Sequence, residues 1–304
     1  VGTFLYTLVW PPFLAVESWS MQHGNHRSQI GTMDTGDLVF VKSAFSRDDV
    51  VTYVEGRITG YTTYGDYGDV ILFQEPNWGP DADPGGTFLH RAMAYVRWNV
   101  TAGGYDIPDL ANLDPSSWAA TDAQGRTISD PRGLGSLTLR NVGWRRDAVV
   151  LVNLTFLARR FPIDGFLTFG DNNVYNYPWS QHDPWIVSDD ELIAVARGEI
   201  PWFGLLRLAL FPGEGCCERW FSTDLRRGAP LDSWISLHLF LPLLLLGPPV
   251  LVRSLRGLSS VRRDAGTTLA HGKEVTIEEG EGDNKGDSGT VSGSGVDGLG
   301  RTQP

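Results

Sequence analysis

From Ser233 to Val252 the chain reads SWISLHLFLPLLLLGPPVLV, twenty residues whose only titratable side chain is His238. As a helix rising ~1.5 Å per residue, such a run matches the ~30 Å hydrocarbon core of a bilayer. Prolines inside it are compatible with a membrane helix. A buried core helix is the alternative, but the density of leucine and the flanking charges favour a transmembrane span at 233–252. Arg253, Arg256, Arg262 and Arg263 follow before the first acid, Asp264. By the positive-inside rule that end is cytoplasmic, and the residues before the span lie outside the cell.

A second uncharged stretch, VGTFLYTLVWPPFLAV, occupies residues 1–16. It is short for a span and reads as an apolar anchor, the last portion of a membrane helix; a cleaved signal sequence is the rival, without the basic region that would precede one. Residues 253–304 are rich in Gly, Ser, Asp and Glu towards their end and nearly devoid of aromatics. They read as a disordered cytoplasmic tail. Between the anchors, residues 17–230 form the folded body, exported by the charge argument.

The body is punctuated by turns and short β-rich runs, at 38–42, 50–55, 70–73, 88–96, 148–154 and 165–169. Gly36-Asp37 precedes LVFV and Gly68-Asp69 precedes VILF, the same turn feeding an apolar strand twice. The stretch 102–141 is polar and rich in Gly, Asp and Pro, and reads as an insertion or long loop. One short helix is a candidate at 189–197. The fold class is therefore mainly β.

Formal net charge is −11 and only Lys42, Lys273 and Lys285 are lysines. Such a surface repels nucleic acid, which is set aside as a partner. Excess acid with little lysine is also the habit of proteins from salt-loving microbes. The two cysteines, Cys216 and Cys217, are adjacent and read as unpaired, with no zinc spacing. Asn99-Val100-Thr101 and Asn153-Leu154-Thr155 match the glycosylation acceptor pattern.

Three segments hold side chains suited to amide hydrolysis: Ser18-Trp19-Ser20-Met21, Leu89-His90-Arg91 and Gly170-Asp171-Asn172-Asn173. A serine hydroxyl needs a base, histidine suits that task near neutrality, and a carboxylate fixes the histidine tautomer. Taken singly each segment has an ordinary alternative: a surface serine, a core histidine, a turn. His23 and His26, with His182-Asp183, form a weaker metal-ligand alternative without a helix to set their spacing.

Taken in order, Ser-Met, Gly-Asp-strand, His-Arg and Gly-Asp-Asn-Asn resemble the archaeal and endoplasmic-reticulum branch of signal peptidase I, where histidine replaces a lysine base. The resemblance runs from about Ala15 to Leu208 and includes Gly198-Glu199-Ile200-Pro201-Trp202-Phe203-Gly204. It implies a signal-peptidase-like β catalytic body with membrane anchors at one or both ends. It implies Ser20 as nucleophile and His90 as base. Ser18, Met21, Arg91, Gly170, Asn172 and Asn173 become oxyanion or supporting residues. It also implies secretory preproteins with signal peptides as substrates, with the lipid bilayer and the protein-export machinery as further candidate partners; nothing suggests an organic cofactor or a required metal. Two departures stand out. His23 occupies a place where the family usually carries proline, in a 22–35 loop longer than the family norm. Asn176 and Tyr177 stand where the family has its acid, so Asp183 is favoured as the orienting carboxylate with Asp171 as a second acid; otherwise Asp171 must serve, or the orienting group is missing. A binding or structural domain on the same fold, with catalysis lost, is the rival class.

Overall fold

The computed structural model describes residues 6–24, 26–76, 86–176, 181–210 and 228–271. Cys216, Cys217, Tyr177 and the segment after His271 lie outside them. The chain divides into two compact units, Val1–Leu245 and Leu246–Pro304. The first holds the β body.

Among the described residues, eleven strands share one sheet, and every pairing in it is antiparallel. Its path begins with β1 (Phe13–Ala15), then β2 (Leu38–Ser43), β13 (Leu192–Ile200), β5 (Val70–Gln74) and β6 (Thr87–Asn99). It continues through β7 (Gly104–Asp106), β10 (Leu134–Val142), β8 (Trp118–Asp122) and β9 (Thr127–Ile128), while β11 (Ala148–Val152) pairs with β10 and β12 (Gly165–Phe169) with β6. A small ribbon, β3 (Thr62–Thr63) with β4 (Asp66–Tyr67), precedes β5. The mainly β reading holds at this level.

β6 is the spine. Its first residues pair with β5, with His90 opposite Ile71, and the stretch from Arg91 to Val96 pairs with β12, where Arg91 faces Phe169. Its last residues turn to β7. The main core packs Tyr53, Phe73, Met93, Tyr105 and Phe166, all without solvent exposure, across these strands. A second cluster gathers Val16, Met21, Met33, Val39 and Leu72 beneath β1 and β2.

Several expectations are corrected. Phe13–Ala15 is a strand bonded to β2, not part of a helix; Pro11 and Pro12 cannot sustain helical bonding, and an apolar extended segment gains its partners from Leu38–Phe40. Residues 1–5 lie outside the description. The run at 50–55 is no strand. Thr52 caps α1 (Tyr53–Thr59) by accepting from the Glu55 N–H at 3.2 Å, while Glu55 accepts from the Thr52 N–H at 2.8 Å, and Gly60 ends the helix at φ +81°. The stretch 102–141 is no loop but holds β7 to β10. Its glycines serve close strand contact: a Cβ on Gly104 would lie 2.5 Å from the Leu134 carbonyl oxygen. The 189–197 segment is a turn leading into β13 rather than a helix, because β13 sits between β2 and β5 and Ile193 and Val195 suit a sheet.

A short helix, α2 (Leu154–Ala158), follows β11, and α3 (Asn173–Asn176) follows β12. α4 (Gly204–Leu210) leaves β13 and packs Leu205 and Leu208 against Ala15, Trp234 and Leu237. α5 (Leu231–His271) carries the apolar run; Leu231–Ser254 is long and apolar enough to cross a membrane. The helix continues to His271, so the part of the 253–304 tail up to that residue is helical rather than disordered. Val250, Leu251 and Val252 lead into a segment with few strong helix breakers, and the helix propagates through it.

Candidate active site

The segment after β1 continues the sheet contact: the Val16 N–H donates to the Asp37 carbonyl and the Gly36 N–H to the Val16 carbonyl, both at 2.9 Å. Gly36, at φ +96°, makes that turn, and a Cβ there would collide with the Leu205 side chain. The chain then turns at Trp19, whose carbonyl accepts from the Gln22 N–H at 3.1 Å. This places Ser20 at the edge of β6.

Ser20 Oγ lies 2.9 Å from His90 Nε2, and His90 Nδ1 lies 2.7 Å from Asp183 Oδ2. An ionised carboxylate only accepts, so Nδ1 carries the hydrogen and Nε2 is left as the acceptor for the serine hydroxyl. His90 and Asp183 are buried, while Ser20 is partly exposed. Phe88 and Phe73 present edge contacts to the imidazole, with ring centroids 5.8 and 6.4 Å away.

Asp183 is fixed twice to β12: its N–H donates to the Thr168 carbonyl at 2.9 Å, and Thr168 Oγ1 donates to Oδ2 at 2.5 Å. Thr168 escaped the sequence reading. A lone hydroxyl in the otherwise apolar GFLTF strand, with all five residues buried, was the available signal. His182 beside it donates from Nδ1 to the Asp183 carbonyl at 2.7 Å, and burial pulls its pKa below the ordinary value.

Asp171 is not a second acid on His90. Neighbours along a strand point to opposite faces, and Asp171 belongs to Arg91. Arg91 Nε and Nη2 donate to its two oxygens at 2.7 Å each, with both side chains buried. His23 Nε2 adds a third contact at 2.9 Å. Burial works to raise the Asp171 pKa, but the Arg91 guanidinium and then His23 outweigh it and hold the carboxyl down at about 2. Arg91 Nη1 also reaches the Thr63, Asp66, Tyr67 and Gly68 carbonyls, the closest at 2.9 Å, and so ties the β3–β4 ribbon to the site.

The turn after β12 closes on the serine. Asn172 donates its N–H to the Ser20 carbonyl at 2.8 Å and its side-chain amide to the Trp19 carbonyl at 3.1 Å. Gly170 permits this approach, since a Cβ there would lie 2.6 Å from Ser20 O and 3.0 Å from Ser20 Cβ. Asn173 opens α3 and donates its N–H to the Gly170 carbonyl at 3.0 Å. Met21, expected as an oxyanion or supporting residue, is 1% exposed in the cluster beneath β1 and β2, where it supports the serine turn. Ser18 Oγ lies 3.1 Å from Ser20 Oγ.

A cleft of about 750 Å³ opens over Ser18, Ser20 and His90. Leu14, Val16, Leu72, Phe88, Phe203 and Leu206 make its walls largely apolar, and a Glu17–Arg207 ion pair sits at its lining. The metal-ligand alternative does not assemble: His23 is taken by Asp171 and His182 by a backbone carbonyl, and among the described residues no three His, Cys, Asp or Glu side chains converge. Compared with known proteins, the chain matches no family model, no curated protein and no solved structure.

Proposed function

We propose that this chain is a membrane-anchored serine endopeptidase of the signal peptidase I type that removes signal peptides from secretory preproteins. The observation that carries the reading is the hydrogen-bonded line Ser20–His90–Asp183 opening on an apolar cleft. In this reading Ser20 Oγ attacks the scissile carbonyl carbon while its proton passes to His90 Nε2. The carbonyl oxygen becomes an oxyanion, for which the Ser18 hydroxyl is a donor. His90 returns the proton to the amine as the C–N bond breaks. Water, deprotonated by His90, then attacks the acyl ester, and Ser20 leaves with the proton restored. Asp183 keeps the imidazole in the required tautomer throughout.

The helix Leu231–Ser254 supports a bilayer anchor, and in this reading the arginines from Arg253 onward favour a cytoplasmic far end, with the catalytic body outside. Sharing a membrane with its precursors raises their effective concentration.

The test is cleavage of a synthetic precursor by membranes carrying the full chain. Loss of cleavage by roughly 10³-fold or more in both Ser20→Ala and His90→Ala, at equal protein level, is the expected result. Cleavage by Ser20→Ala at the parental rate refutes the mechanism. No cleavage by the parent, alongside an active control peptidase, favours a binding or structural domain on this fold.

A further inference from the structure

The loop after the nucleophile carries a histidine that the triad does not use. His23 is 9% exposed, and its ring stacks on Trp144 at a centroid separation of 5.0 Å and an interplanar angle of 11°. Gly65 closes the other side, where a Cβ would come 3.0 Å from His23 Cε1. The ring is thereby held with Nε2 aimed at Asp171 Oδ2, 2.9 Å away. Asp171 is a carboxylate and only accepts, so Nε2 carries the hydrogen.

Where this bond leads is what distinguishes it from an ordinary loop staple. The residue after Asp171 is Asn172, whose N–H donates to the carbonyl of Ser20 itself. The path Ser20–Met21–Gln22–His23 is covalent, and His23–Asp171–Asn172–Ser20 returns to its start through two hydrogen bonds. The nucleophile's backbone is thus held inside a closed ring. Arg91 anchors Asp171 to β6, the strand that carries His90 one residue earlier. His23 links the serine loop to the same carboxylate.

We propose that His23 is a positioning residue for Ser20, acting through Asp171 and Asn172 to hold the serine hydroxyl within reach of His90. The inference rests on the serine-peptidase reading. A displacement near 1 Å in such an arrangement costs about 10²-fold in rate, whereas substrate binding in the cleft does not depend on it. The signature is therefore a fall in kcat with KM preserved.

The experiment compares the full chain in membranes with His23→Ala and His23→Gln. It reads kcat and KM on a synthetic precursor, and the rate at which a fluorophosphonate probe labels Ser20, with Ser20→Ala as blank. His23→Ala is expected to lower kcat and the labelling rate about 10- to 100-fold, with KM within about twofold. His23→Gln, whose amide can donate to Asp171, is expected to recover most of the loss. Where His23→Ala does not accumulate, His23→Asn replaces it, because its amide ends too short to reach the carboxylate. A kcat and labelling rate within about twofold of the parent in the Ala or Asn variant overturn the inference, as does an equal loss in the Gln variant. If the parent itself neither cleaves nor labels, the peptidase reading fails and this inference with it. If the parent does both and His23→Ala matches it, only the inference fails.

Discussion

At the scale of single residues, the site depends on which carboxylate faces which base. β6 presents His90 and Arg91 to opposite sides, and each takes its own aspartate: Asp183 on His90, Asp171 on Arg91. Thr168 Oγ1 adds a donor to Asp183 and fixes the orientation of its carboxylate. On the proposed function, Asp183→Asn leaves the shape nearly intact but presents the wrong tautomer of His90 to Ser20. A loss of about 10³- to 10⁴-fold in kcat is expected. Thr168→Val keeps the volume and removes one donor, and a milder loss of roughly tenfold is expected. Steady-state cleavage by the two variants checks this; equal and severe losses in both would mean that Thr168 supports the strand rather than the acid.

At the scale of elements, the 22–35 loop and the end of β13 are joined by buried and half-buried acids. The Gly31 N–H donates to Glu199 Oε1 at 2.5 Å, while the other oxygen, Oε2, is buried with no hydrogen-bond partner among the described residues. Asp37 accepts from the Trp202 N–H at 3.0 Å and the Asp34 N–H at 2.8 Å. Burial is the main cause that pushes both Asp37 and Glu199 up to about 7, with neighbouring acids adding to it. The folded chain therefore holds protons here that the unfolded chain releases nearer 4. The stability contributed is fully present below that value and is lost as pH rises through about 7. Glu199→Gln keeps the acceptor for Gly31 and removes the titration. Its unfolding free energy is expected to fall less between about pH 5 and pH 8 than the parent's, by an amount reduced by solvent screening of this half-exposed group. Parallel unfolding curves with the same pH slope would exclude Glu199 as a source.

At the scale of the whole molecule, the first turns of α5 belong to the body. Ser233, Trp234 and Leu237 are buried, the latter two with Ala15 of β1 and Leu205 and Leu208 of α4. α4 and the residues before it supply Phe203, Leu206 and Arg207 to the cleft. The cleft wall and the root of the apolar helix are thus one packed unit. Further along, Leu243 and Leu244 are exposed at 65% and 46%, and on the proposed anchor reading they would face lipid. The chain is expected to stay with membranes in alkaline carbonate and to be released by detergent. Leu243→Arg with Leu244→Arg adds roughly 2.5–3.5 kcal/mol per residue to insertion and is expected to shift the protein into the soluble fraction. Unchanged membrane retention in that variant would place the anchor elsewhere.

The apolar run 233–252 was legible from composition alone, because length and the absence of charge are one-dimensional properties. So were the strands at Val70–Gln74 and Gly165–Phe169, whose runs of apolar residues are bounded by turns. Ser20 and His90 could be named from their segments, since motif order survives without coordinates. Local pattern failed where the neighbours decided. Leu192–Ile200 became a strand because β2 and β5 flank it, and the glycines of 102–141 served close strand contact rather than loops. Only the tertiary structure assigned the acids. Asp171 and Asp183 are twelve residues apart in sequence, and there Asp183 is only the favoured orienter with Asp171 beside it; strand alternation sends His90 and Arg91 to opposite faces, so the partner of each depends on which face its loop crosses. The same holds for His23, whose contact with Asp171 spans 148 residues and exists only because two loops meet over the same strand.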